Sequence, residues 1–149
     1  MRRFFLNNFC LVLSLVTSIG ASSAFADAEV DIKYRKSVYG IIGGHMSSMG
    51  TILKEGVHRD EFAYHARGIA AASKLVPGLF PAGSGDGKTD ALPDIWSQPD
   101  EFKGYVDDFL VAAEEMGKVA DSNDMRAIGG AMKALGGSCK GCHDNYKAD

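Results

Sequence analysis

Near its C-terminus the chain carries Cys139-Lys140-Gly141-Cys142-His143, and this pentapeptide dictates what the core must contain. Two thiols three positions apart with a histidine directly after the second form the attachment signature of a c-type haem. Each thiol can add to one haem vinyl group, and a spacing of one helical turn brings both sulfurs to the same edge of the porphyrin. The imidazole that follows then reaches the iron through a neutral ring nitrogen. A fold built around this segment must enclose a large, flat, mostly apolar group. Other uses of the residues have less support. A redox-active Cys-x-x-Cys belongs beside a strand-helix-strand pattern, which the C-terminal third lacks. A zinc site would need a fourth ligand from His45, His58 or His65, none at a familiar finger spacing. A structural disulfide across so short a loop is the least favoured reading.

Four stretches repeat apolar residues at helical spacing. The first runs from about Asp31 to Glu55, with Arg35, Tyr39, Ile42, Met46, Met49 and Leu53 on one face, widened by Val38, Ile41 and Ile52. The second runs from Asp60, suited to an N-cap, to Val76, with a stripe of Phe62, Ala66, Ile69 and Ala72 or Ser73. The third spans about Pro99 to Ala120, proline suiting the first turn, and turns Phe102, Tyr105 or Val106, Phe109, Ala113, Met116 and Ala120 inward. The fourth begins near Ser122-Asn123 and buries Met125, Ile128, Met132, Leu135, Cys139, Cys142 and Tyr146. The haem motif therefore falls on the inner side of the last helix. A long connection, Pro77 to Pro99, holds all four prolines, and Phe80 and Trp96 within it suggest that it packs down. Strand signals are almost absent. The fold class expected is all-α, an antiparallel four-helix bundle with covalently bound haem c between facing helices.

Residues 1–26 read as a cleaved signal peptide: Arg2 and Arg3 precede an apolar run from Phe9 to Val16, and Ala24-Phe25-Ala26 supplies the cleavage site. The run is too short and too polar for a membrane span. Residues 27–149 then form one domain, exported and without membrane insertion, and Cys10 leaves with the signal. Of 16 Lys and Arg, removal of Arg2 and Arg3 leaves 14 against 19 Asp and Glu, a net charge of −5. With no basic stripe, nucleic-acid binding has no support.

These residues resemble the class II cytochromes c, and within them the cytochromes c′, over essentially the whole of 27–149. The likeness rests on the haem motif on the last helix followed by Asp144 and Tyr146, on Lys33-Tyr34-Arg35-Lys36-Ser37, on His45 and Met49, and on Pro93-Asp94-Ile95-Trp96 with Phe102-Lys103. The C-terminal position of the motif discriminates most, because most small c-type cytochromes of the other major class carry it near the N-terminus. The resemblance implies a left-twisted bundle, often a homodimer through its first two helices, in the periplasm. It implies Cys139 and Cys142 as covalent haem attachments, His143 as axial iron ligand and Tyr39 at the distal face. Relatives with methionine at the Tyr39 position are six-coordinate electron carriers, whereas those with leucine, phenylalanine or tyrosine usually leave the iron five-coordinate.

Arg35, one turn before Tyr39, could pair with a surface carboxylate, but the resemblance favours pairing with a haem propionate. Lys36 and Asp90, with Thr89 beside them, fall where relatives line the haem edge, and Phe80 and Trp96 are set to pack on the porphyrin or the core. Four residues after the axial histidine many relatives place an arginine; this chain has Lys147, which keeps the charge but loses the planar fork. Met46 and Met49 read as core methionines. His58 and His65 read as ordinary helix or surface histidines, and neither they nor His45 is assigned to iron. With Tyr39 at that position the resemblance implies a five-coordinate, high-spin site that admits NO or CO and takes part in electron transfer with an unidentified redox partner. Chemistry goes partway, since a neutral phenol is a poor iron ligand while a phenolate can bind ferric iron. The alternative is a six-coordinate, low-spin electron carrier with a methionine ligand. Enzymatic peroxide or NO chemistry is disfavoured, since the Tyr39 stripe offers only apolar neighbours and a phenol.

Overall fold

The computed structural model describes residues 20–122 and 124–148, the first seven of these by their backbone alone. Five helices follow in chain order: α1 Gly20–Glu55, α2 Phe62–Ser73, α3 Asp94–Ser97, α4 Pro99–Val119 and α5 Met125–Tyr146. The four long ones form the expected bundle. Among the described residues the only β pairing is an isolated antiparallel bridge between Ala91 and Lys147.

Helix α1 begins well before the expected Asp31 and runs for 36 residues. Most of the signal-peptide reading lies outside the described residues, and cleavage after Ala26 would leave α1 as 27–55. Its buried face is Ala28, Ile32, Arg35, Val38, Ile42, Met49 and Ile52. Ile41 was expected to widen that face, but its turn points outward and it is 53% exposed. The helix stops where Gly56, at φ +72°, adopts the left-handed conformation that glycine takes without a Cβ penalty, its N–H still reaching Ile52 O at 2.9 Å.

Helix α2 is shorter than its periodicity suggested. A 3₁₀ turn, Arg59–Glu61, precedes it, so Glu61 and not Asp60 takes the N-cap position, with no side-chain cap bond. A second 3₁₀ turn, Val76–Gly78, follows, and the predicted stripe is buried as Phe62, Ala66, Ile69, Ala72 and Ser73. In α4 the inward choice falls on Val106, with Tyr105 half-buried, and Pro99 opens the first turn. The α5 N-cap is Asp124, one residue beyond the expected pair. Its carboxylate accepts from Arg126 N at 2.9 Å and Ala127 N at 3.1 Å, satisfying two of the N–H groups that a helix start leaves free. Met125, expected inside, is 59% exposed because it precedes the first full turn.

Helix α1 packs on α2, α2 on α4, and α4 on α5. Met49, Ile69, Met116 and Leu135 are fully buried between them. The α1–α5 seam is not among the closely packed pairs, and the 77–98 segment bridges it at one end. From α1, the Arg35 guanidinium donates to Leu79 O (3.1 Å), Ser84 Oγ (3.0 Å), Ser84 O (2.9 Å) and Thr89 Oγ1 (2.9 Å). On the α5 side, Leu92 N donates to Tyr146 O at 3.0 Å and Ala148 N to Asp90 O at 2.7 Å. The segment is thus sewn to both helices. Trp96 donates to Pro81 O at 3.1 Å and covers Gly85, where an added Cβ would stand 2.8 Å from the indole.

Candidate haem-binding site

A cavity of about 630 Å³ opens in the α1–α5 seam, within the roughly 300–1,000 Å³ usual for cofactor and ligand pockets. Helix α1 supplies Arg35, Lys36, Tyr39, Ile42, Gly43 and Met46 as one wall, and α5 supplies Ser138, Cys139, Cys142, His143 and Tyr146 as the other. Val106 and Phe109 of α4 form the back, and Phe80, Thr89, Asp90 and Ala91 of the bridging segment close one end. Helical spacing turns the motif inward: positions 135, 139, 142 and 146 share one face, so the stripe that buries Leu135 and Tyr146 aims both thiols into the bundle.

Both cysteines are free and half-buried, and burial pushes both thiols up from their ordinary value. A thiol held protonated is a weak metal ligand and slow in disulfide exchange, which counts against the redox reading. Among the described residues no three or more His, Cys, Asp or Glu side chains gather where they could hold a metal ion, so the zinc reading lacks its fourth ligand. Across the cavity, Tyr39 is pushed well above the usual phenol range, chiefly by burial, then by the Cys142 thiol, with Arg35 opposing and Cys139 adding. The cysteine contributions vanish once the thiols become thioethers; burial does not. Arg35 is only 3% exposed, and burial pulls its guanidinium down, opposed by Tyr39 and Asp31. It stays charged, because even a lowered guanidinium titrates far above neutrality.

Most of the residues singled out from the sequence meet at this cavity. Cys139, Cys142, His143, Tyr39, Arg35, Lys36, Thr89, Asp90 and Phe80 all line it. His143 is exposed at its rim. Trp96 does not line it; the indole stands behind Phe80, ring centres 6.2 Å apart, and so belongs to the support of the wall. Arg35 also departs from expectation. Its four terminal N–H bonds are spent on the bridging segment, and its guanidinium lies 4.8 Å from the Phe80 ring centre, so that among the described residues only Nε–H remains to meet a propionate. Lys36 Nζ donates to Lys88 O at 2.8 Å. Sequence reasoning did not find Ser84, fully buried and gripping Arg35, because a serine in a glycine-rich stretch carries no periodic signal. Ile42, Val106 and Phe109 were placed in the core, and nothing in their spacing said that this part of the core is a cavity wall.

The residues fit a haem. Two thiols and a histidine stand on one wall, the surroundings are apolar, and a Cβ on Gly43 would meet nothing within 4 Å, so α1 leaves space where a planar group would lie.

A family model described as Cytochrome C′ matches residues 31–147. The chain is 37% identical over 139 residues to cytochrome c′ of Rhodospirillum rubrum, covering 92% of this chain and 94% of that one. Among solved structures, cytochrome c prime from Shewanella frigidimarina aligns with a TM-score of 0.78 at 35% identity, covering 82% of this chain and 97% of that one. A nitric oxide complex of a cytochrome c prime variant from Alcaligenes xylosoxidans aligns with a TM-score of 0.75 at 27% identity over 82% and 97% of the two chains. Members of this family carry covalent haem c, which is accordingly the cofactor here. The bundle, its seam cavity and the match over residues 31–147 together place the chain in the cytochrome c′ family.

Proposed function

We propose that the protein is a periplasmic gas-binding and electron-transfer cytochrome whose iron is held by His143 alone. Cys139 and Cys142 form the thioether links, and Tyr39 faces the open side. The haem supplies an iron that cycles between ferric and ferrous states and binds small uncharged diatomics such as NO and CO. The chain would do the rest: α5 would hold the attachment points and supply the His143 imidazole, while the apolar walls would disfavour charged ligands. Tyr39 would stand over the open face of the haem and would move aside for an incoming diatomic. The observation that carries this reading is the pairing of walls in one cavity, with Cys139, Cys142 and His143 on α5 and a half-buried phenol, held protonated, opposite.

A methionine-ligated, six-coordinate site is the competing arrangement, and the position of Met46 weighs against it. Its Cε packs 3.7 Å from where a Cβ of Gly136 would stand, seven residues before His143 and so about 10 Å along α5 at 1.5 Å per residue. No catalytic role is proposed: the Tyr39 wall offers no acid-base pair of the kind peroxide chemistry needs.

Export follows from the reading of residues 1–26 as a signal peptide, and among the described residues no helix is long and apolar enough to cross a membrane. A homodimer through α1 and α2 is supported by Val30, Tyr34 and Ile41, exposed at helical spacing on α1, and by Tyr64, exposed on α2. Gly44 lies on that same outer side, and a Cβ there meets nothing within the bundle. A monomer from micromolar to millimolar concentration in sedimentation would remove the dimer.

Optical and EPR spectra of the purified protein decide the coordination. A high-spin ferric signal at neutral pH, with Tyr39→Met converting the site to low spin and weakening NO binding to the ferrous form, is the expected result. A low-spin wild type with a methionine-iron charge-transfer band would overturn it.

A further inference from the structure

We propose that His45 and His65 form a second metal site, a clip between α1 and α2 that takes a divalent transition cation, with Cu²⁺ as preferred occupant. The two side chains approach from different helices, Nδ1 to Nδ1 at 3.0 Å, with ring centres 5.2 Å apart. Neither lines the haem cavity, so the site stands apart from the chemistry there.

Ligand type and spacing together favour one ion. At the 2.0–2.1 Å usual between a metal and an imidazole nitrogen, two nitrogens 3.0 Å apart subtend an angle of about 94° at a common ion. A right angle of this kind is one that tetragonal coordination accepts, and a small turn of either ring brings both lone pairs onto one ion. Nitrogen and oxygen donors in a tetragonal arrangement suit Cu²⁺ or Ni²⁺, and the general order of stabilities puts Cu²⁺ first.

The two rings are already held side by side. A Cβ on Gly68 would stand 2.5 Å from His45 Nε2 and 2.6 Å from its Cε1, so the imidazole rests directly against the backbone of α2. Tyr64 stands edge-on to both rings, at 5.9 Å from His45 and 5.3 Å from His65. With no metal, the contact is an N–H···N bond in which one ring carries its proton on Nδ1. Binding an ion through both Nδ1 atoms requires that ring to move its proton to Nε2, a change of tautomer without net proton release. Among the described residues no third His, Cys, Asp or Glu completes the set, so water fills the remaining positions and the ion exchanges.

The test titrates purified holoprotein with Cu²⁺ against a competing chelator, follows the EPR nitrogen couplings of the bound ion, and repeats the titration with Zn²⁺. One Cu²⁺ per chain with two imidazole nitrogens is expected, bound more tightly than Zn²⁺. His45→Ala and His65→Ala should each weaken binding by about ten-fold or more, and the double variant little further, because losing one ligand already ends chelation. Gly68→Ala keeps both histidines but displaces one ring, and should also weaken binding. His58→Ala should change nothing. Should His45→Ala disturb the helical signal, His65→Gln, at a half-exposed position, carries the comparison. Cu²⁺ affinity unchanged in the His45 or His65 variants, or lost in His58→Ala, would overturn the proposal.

Discussion

The same helices build two unlike regions. Around Met49, Ile69, Met116 and Leu135 they interlock with no exposed surface, and Gly117 on α4 comes so near α2 that a Cβ would stand 3.1 Å from the Cβ of Ala70. Around Tyr39, Phe80, Cys139 and Cys142 they stand apart, half-exposed, about a space of 630 Å³. The difference lies in what each region lacks. The first is complete as protein, because its side chains meet one another. The second is held open by a framework of polar bonds from Arg35 and the bridging segment, and its apolar walls have no protein partner.

Removing the cofactor should break this contrast most severely. Scaled at about 24 cal/mol per Å³, an empty enclosed cavity of that volume would cost up to ~15 kcal/mol, as much as a domain's whole stability, and solvent access lowers the figure. Cys139→Ser/Cys142→Ser protein without haem should therefore lose its cooperative melt; a native-like transition in calorimetry would refute the dependence. Next comes Arg35→Met, which strips four hydrogen bonds from the bridging segment and leaves Leu79 O and Ser84 O without that donor. About 3–5 kcal/mol is expected, with faster proteolysis between 77 and 93, and an unchanged cleavage rate would count against the framework role.

Leu135→Ala sharpens the comparison from the other side. In the interlocked region it should cost about 2–5 kcal/mol, whereas Phe80→Ala, on a wall that haem can partly cover, should cost less in holoprotein. Denaturant midpoints that rank the two variants the other way would erase the distinction. The smallest effect is alkaline. Tyr39 is favoured as neutral phenol in the fold, so its contribution is intact below the ordinary phenol value of about 10 and falls as pH rises above it, where only the unfolded phenol ionises. Burial of Tyr146 acts in the same direction. Tyr39→Phe should flatten the loss of stability above that pH without removing it, and parallel curves for the two proteins would show that Tyr39 ionises freely.

Much of the site was legible as pattern. The stripe through Leu135, Cys139, Cys142 and Tyr146 is a helix face whatever surrounds it, and the step from Arg35 to Tyr39 is one turn of α1. Boundaries were less legible. Asp124 caps α5, and two 3₁₀ turns shorten α2, because several polar residues in a row can each serve as a cap and only the closing hydrogen bonds choose among them. Exposure at the stripe edges was misjudged for Ile41 and Met125, since periodicity gives a direction from the helix axis and not what stands there.

By itself the sequence determined the four long helices, most of their inner faces, the haem motif and its place on the last of them, all consequences of local geometry repeated every 3.6 residues. Tertiary structure alone decided that α1 and α5 part to form a cavity, that Arg35 grips Ser84 and not a surface carboxylate, that Trp96 backs the wall without reaching it, and that His45 meets His65. Each depends on side chains tens of positions apart along the chain, brought together by packing that no local spacing encodes.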